Sequence, residues 1–134
     1  MLVLESALVK NPHDCIGEAL RTGEGKGLRQ CVECKLEHIR LLNCNLRGVF
    51  LGRQMPHELR LQKANQFIND GLSMLADLMP QVREAKERVS RDPANKVFHV
   101  ILNLEKPVND LLQLVEDTVE KRDNFVRKNP QLAK

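Results

Sequence analysis

From Leu61 onward, apolar residues recur every three or four positions: Leu61, Ala64, Ile68, Leu72, Leu75, Met79, Val82, Ala85 and Val89. This spacing puts them on one face of an α-helix, because residues three and four apart stack one turn above another. A second stripe of Val97, Ile101, Leu104, Val108, Leu111, Val115, Thr118/Val119 and Phe125 steps mainly by alternating fours and threes and is heptad-like. Between the stripes, Ser90-Arg91-Asp92-Pro93 supplies a turn, with Asp92 as N-cap and Pro93 in the first helical position. Two such helices joined by a tight turn predict an antiparallel helical hairpin. Pro80 and Pro107 fall inside the stripes. Each is expected to kink or briefly break its helix, since proline lacks the N–H and its ring crowds the preceding turn. Asn129-Pro130 is a stop signal for the second helix.

The N-terminal part has a different texture. Leu2–Lys10 predicts a short amphipathic helix ended by Asn11-Pro12, and residues 11–27, with Gly17, Gly23, Gly25 and Gly27, read as loop. A stripe returns at Leu28, Val32, Leu36, Ile39, Leu42, Leu46 and Val49, predicting a helix to about Phe50 that Gly52 and Met55-Pro56 close. The expected fold is all-α: a cysteine-stapled N-terminal helical segment over residues 1–55, then a long helical hairpin over residues 56–134.

Composition narrows this further. A chain of 134 residues is one domain, or a small domain with an extension. With 42% hydrophobic and 29% charged residues it has the balance of a globular chain, not a disordered one. There are four phenylalanines and no Trp or Tyr, so the core must be built from Leu, Val, Ile and Met. The apolar runs fall far short of the ~18 residues of a membrane-spanning helix, which excludes an integral membrane protein. Lys and Arg number 21 against 18 Asp and Glu, with the excess spread over both halves. No basic block marks a nucleic-acid or anionic-membrane surface. The pairs Lys121–Arg122 and Arg127–Lys128 fall near a helix C-terminus, where cations complement the helix dipole.

All four cysteines, Cys15, Cys31, Cys34 and Cys44, lie in one stretch of the N-terminal segment. Such bunching points to disulfides or a metal site. Met1–Lys10 lacks the basic start and long apolar run of a secretory signal, and it is not the Arg-rich segment of a mitochondrial presequence. Zinc, cytosolic redox chemistry and an oxidising compartment entered by another route therefore all stay open. For zinc, Cys31–Cys34 and Cys34–His38 are each one helical turn apart, but Cys31 and His38 are roughly 10.5 Å apart along the axis. Ligand atoms held ~2.0–2.3 Å from one ion cannot bridge that gap, so a zinc site needs a broken helix, or two of these groups with Cys15 and His13. For disulfides, Cys34 and Cys44 are roughly 15 Å apart on one helix. That exceeds the ~7 Å Cα limit, so each needs a partner elsewhere. Cys15 can reach Cys31 if the glycine-rich loop folds back, and Cys15–Cys31 is the expected disulfide.

Other chemistry is sparse. Gly23-Glu24-Gly25-Lys26-Gly27 is no phosphate-binding loop, because Leu28 stands where that motif needs Lys-Ser/Thr and no strand precedes it. His13, His38, His57 and His99 form no acid–base set. Cys34 with His38 could make a thiolate pair, but nothing supplies an oxyanion hole or an orienting group. No catalytic residue is assigned and no cofactor is expected.

Cys34-Lys-Leu-Glu-His-Ile-Arg-Leu-Leu-Asn-Cys44 is a C-x9-C segment on a predicted helix. Together with Asp14-Cys15, Gly25-Lys26, Arg29-Gln30-Cys31 and Arg47 through Gly52-Arg53, it resembles the small Cx9C proteins of the mitochondrial intermembrane space. Within that group it is most similar to the cytochrome c oxidase assembly factor 5 family, over about residues 7–54. The resemblance implies a mitochondrial location, in the intermembrane space or at the inner-membrane periphery, and oxidation through an import relay in place of a signal peptide. It also implies a non-catalytic accessory subunit or assembly factor of a respiratory complex, with cytochrome c oxidase the complex indicated.

Such a protein acts by docking amphipathic helices on partner subunits. It has no small-molecule substrate, and meets a membrane at most peripherally, through its partners. A cytosolic or nuclear helical adaptor with reduced or zinc-binding cysteines is the alternative. A redox enzyme using the Cys31/Cys34 C-x-x-C, with a thiol pKa lowered at a helix N-terminus, is a third.

Overall fold

The computed structural model describes residues 14–51 and 55–133, and the expected helix over Leu2–Lys10 lies outside the described residues. The fold is all-α. The helices are α1 (Cys15–Thr22), α2 (Leu28–Gly48), α3 (His57–Arg91), α4 (Lys96–Ile101) and α5 (Glu105–Lys128). A 3-10 turn at Leu102–Leu104 separates α4 from α5, and another at Pro130–Ala133 follows α5.

Within the loop-rich stretch expected over residues 11–27, Cys15–Thr22 is helical as α1, residues 23–27 are loop, and residues 11–13 lie outside the described residues. Asp14 caps it, accepting a 3.0 Å bond from the Gly17 N–H, while Ile16, Ala19 and Leu20 form a buried i, i+3, i+4 stripe. Gly23 ends it in the left-handed region at φ 76°, its N–H donating to the Ala19 carbonyl at 2.7 Å. A helix this short is below what propensity sustains alone, so its stability comes from packing.

The turn after α3 also differs from expectation. α3 ends at Arg91, and Asn95, not Asp92, caps the next helix, its side chain accepting from the Val97 N–H at 2.9 Å. Pro93 belongs to the turn itself, its carbonyl 2.9 Å from His99 Nε2. Pro80 does not break α3, which remains helical from His57 to Arg91. Pro80 and Ala76 are both exposed, so the Ala76 carbonyl that loses its partner can turn to solvent. Pro107 occupies the third position of α5, where a missing N–H costs little, and the break falls just before it at Leu102–Leu104.

The chain forms two compact units: residues up to Lys35 with Pro80–Glu105, and Leu36–Met79 with residues from Lys106 on. In the first, α1 and the glycine loop are clasped by the end of α3 and the start of α4. Arg88 donates to the Leu20 carbonyl at 2.6 Å and lies over the Phe98 ring, 4.6 Å from its centroid. Asn95 Nδ2 donates to the Gly23 carbonyl at 3.2 Å, and Gln81 reaches the Asp14 carboxylate at 3.4 Å. Lys86 pairs with Glu105 at 2.7 Å.

In the second unit the antiparallel pairing of α3 and α5 is direct. Moving up α3, His57 meets Phe125, Asn65 accepts from Arg122 at 3.0 Å, and Gly71 abuts Val115. The buried face of α3 in the two units is Arg60, Ala64, Ile68, Gly71, Leu75, Leu78, Val82 and Ala85. Leu72, expected inside, is 50% exposed, and Gly71 takes the buried position beside it. Leu42 and Leu46 of α2 pack near Gly71 as well. Arg60, only 6% exposed, donates to the Val49 carbonyl at 2.6 Å and so closes the end of α2.

Candidate functional site

The cysteines divide between the two units. Cys15 is the first residue of α1, and Cys31 lies in the first turn of α2; both are half-buried. Their side chains lie close to each other, so the folding back of the glycine loop expected from the sequence is present. Gly27, at φ 72°, makes this approach possible, since it turns the backbone into α2 directly beside Cys15. A Cβ at Gly27 would stand 3.8 Å from Cys15 Sγ.

Interaction with the neighbouring Cys31 thiol is the first cause of a raised pKa at Cys15. Burial and the charges of Cys31, Asp14 and Glu18 add to it, all favouring the neutral thiol. Cys34 is exposed one helical turn beyond Cys31, in the same unit. Cys44 is exposed in the second unit, on the same unbroken helix α2. The C-x9-C segment is therefore a helical stretch with both sulfurs toward solvent. Among the described residues no group of three or more His, Cys, Asp or Glu side chains is placed to hold a metal ion. His13 lies outside them.

The loop Gly23–Gly27 is a helix-to-helix connection, with Gly23 and Gly27 at positive φ and Leu28 N–H closing onto the Gly25 carbonyl at 3.0 Å. Of the C-terminal basic residues, Arg127 and Lys128 occupy the last turn of α5, whereas Arg122 bonds Asn65.

A second feature carries little signal in the stripes, of which only Leu72 is a member. Among the described residues, the four large apolar side chains most exposed to solvent, Leu41 (48%), Leu51 (72%), Leu59 (39%) and Leu72 (50%), all belong to the second unit. Leu59 also lines a groove of about 580 Å³ of mixed character, with Pro56, Leu61 and Leu132 beside Glu58, Gln62, Asn65 and Gln131. Near it, Phe125 stacks in a tilted pair with Phe50 at 5.5 Å and edge-on with His57 at 5.2 Å. Leu59 and Leu51 lie outside the stripe pattern, so periodicity gave no reason to single them out. Among the described residues no helix is long and apolar enough to cross a membrane. No family model, no curated protein and no solved structure matches this chain.

Proposed function

We propose that this chain is a non-catalytic helical docking protein, an accessory subunit or assembly factor that lays its second unit against partner protein subunits. The observation that carries the reading is that Leu41, Leu51, Leu59 and Leu72 are all exposed on that unit. Single exposed leucines are ordinary. Four on one unit, one of them lining a mixed polar and apolar groove, suit a broad helix-on-helix interface that does without aromatic anchors. The Cx9C-like residues from Asp14-Cys15 to Cys44 support a location in the mitochondrial intermembrane space or at the inner-membrane periphery. They also make a respiratory complex, cytochrome c oxidase first, the partner to test.

The test is to express the tagged full-length chain in its source cells, fractionate them, and resolve mitochondrial membranes on a native gel. Co-migration with cytochrome c oxidase subunits, lost in a Leu59→Asp/Leu72→Asp variant that keeps its helical circular dichroism, is the expected result. A chain that stays in the cytosol sinks the mitochondrial assignment and favours the adaptor reading. A chain in mitochondria that migrates alone, or whose assembly ignores both leucines, sinks the docking surface.

A further inference from the structure

Three of the four cysteines belong to the first unit, one exposed and two half-buried. Cys34 is exposed, Cys31 lies one turn before it on α2 and is half-buried, and Cys15 is half-buried against Cys31. Residues three apart on a helix have Cβ atoms about 5–6 Å apart. Cys31 thus stands within exchange reach of a thiol on either side. Cys44 is on the other unit.

We propose that Cys34, Cys31 and Cys15 form a thiol relay that takes oxidising equivalents from a small-molecule disulfide at the surface and stores them as a Cys15–Cys31 disulfide. The Cys34 thiolate attacks one sulfur of the incoming R–S–S–R, forming Cys34–S–S–R and releasing one RS⁻. Cys31 then gives up its proton to solvent, attacks Cys34 Sγ and expels the second RS⁻, giving a Cys31–Cys34 disulfide. Cys15 gives up its proton to solvent and attacks Cys31 Sγ, which forms Cys15–Cys31 and returns Cys34 as thiolate. One disulfide is reduced to two thiols, two protein thiols are oxidised, and Cys34 ends as it began.

The direction of transfer follows from geometry. A disulfide between i and i+3 must draw its Cβ atoms from helical spacing to the about 3.8 Å of an unstrained bridge, and strain makes a disulfide easier to reduce. Cys15 lies near Cys31 across the loop, free of the helical repeat. The relay rests on the first unit alone and stands apart from the docking reading, which rests on the second.

The test uses the reduced full-length protein with excess oxidised glutathione at neutral pH, quenched by alkylation and followed by intact mass and peptide mapping. The expected product is two hydrogens lighter, with Cys15 bonded to Cys31 and Cys34 free. Cys34→Ser should slow its formation by about tenfold or more, because Cys31 and Cys15 are less accessible to the oxidant. Cys44→Ser should leave the rate unchanged. Cys15→Ser should stop the sequence at Cys31–Cys34 or at glutathione on Cys34. No Cys15–Cys31 disulfide in the wild type overturns the proposal, as does an unchanged rate in Cys34→Ser.

Discussion

At Gly71 the backbone of α3 runs so close to Val115 of α5 that a methyl group in place of the glycine hydrogen would lie 2.6 Å from Val115 Cγ2. Val115 is 2% exposed and β-branched, so it has little freedom to move aside. Alanine would gain about 1 kcal/mol of helix propensity over glycine. Overpacking a closed site costs about 1–3 kcal/mol, and with a contact this short the upper part of that range applies. Gly71→Ala should therefore lower the urea midpoint, and adding Val115→Ala should recover part of the loss relative to Val115→Ala alone. An unchanged or raised midpoint in Gly71→Ala would contradict the close approach.

Asn95 and Asp92 distinguish the observed turn from the one the sequence suggests. Asn95 caps α4 and also holds the Gly23 carbonyl, so Asn95→Ala should cost about 1–2 kcal/mol. Asp92 is exposed and caps no helix, so Asp92→Ala should stay within about 0.5 kcal/mol. Thermal unfolding of the two variants side by side gives the answer, and the reverse order would restore Asp92 as the cap.

Arg88 ties α1 to the rest of its unit. Its guanidinium meets the Leu20 carbonyl at the C-terminal end of α1, where positive charge is favoured, and also covers the Phe98 ring. Arg88→Met keeps much of the stem but leaves that carbonyl unpaired, a loss of about 1.5–3 kcal/mol for a charge-assisted bond. Hydrogen exchange should show the amides of α1 losing protection first, whereas loss spread evenly over all helices would argue against a local role.

Much of this architecture can be read from spacing. The stripes of α2, α3 and α5 depend on apolar periodicity, and there the residues that pack are the ones that repeat. α1 escapes such a reading because its stripe, Ile16, Ala19 and Leu20, is too short to stand out among glycines. Its existence depends on Asp14, Gln81 and Arg88, two of them distant in sequence. The misplaced Leu72 has a related cause: hydropathy favours leucine over glycine, while close packing of two helices favours the residue without a side chain. For the cysteines, chain geometry was enough to bring Cys15 to Cys31 but gave no ranking of exposure, which depends on what covers each side chain.

Alkali should act on the Cys15–Cys31 contact. The folded pKa of Cys15 lies above its ordinary value of 9.0, so the fold favours the neutral thiol. The stability this contributes is whole below the unfolded pKa and is lost as pH rises from there through the folded value. At neutral pH Cys15 should alkylate more slowly than exposed Cys34, and Cys31→Ala should speed it by removing the first cause of the shift. Equal rates at Cys15 and Cys34 in the wild type would contradict the contact.

The side-chain amide of Asn95 uses both of its ends, the nitrogen on Gly23 and the oxygen on the Val97 N–H. Hydrolysis of that amide during ageing would leave an oxygen to cap α4 but would place a second oxygen, negatively charged, against the Gly23 carbonyl. A single deamidation would then keep the helix start and repel the loop. Chemical wear at this one residue would loosen the glycine connection that holds Cys15 beside Cys31, while every helix of the chain kept its sequence.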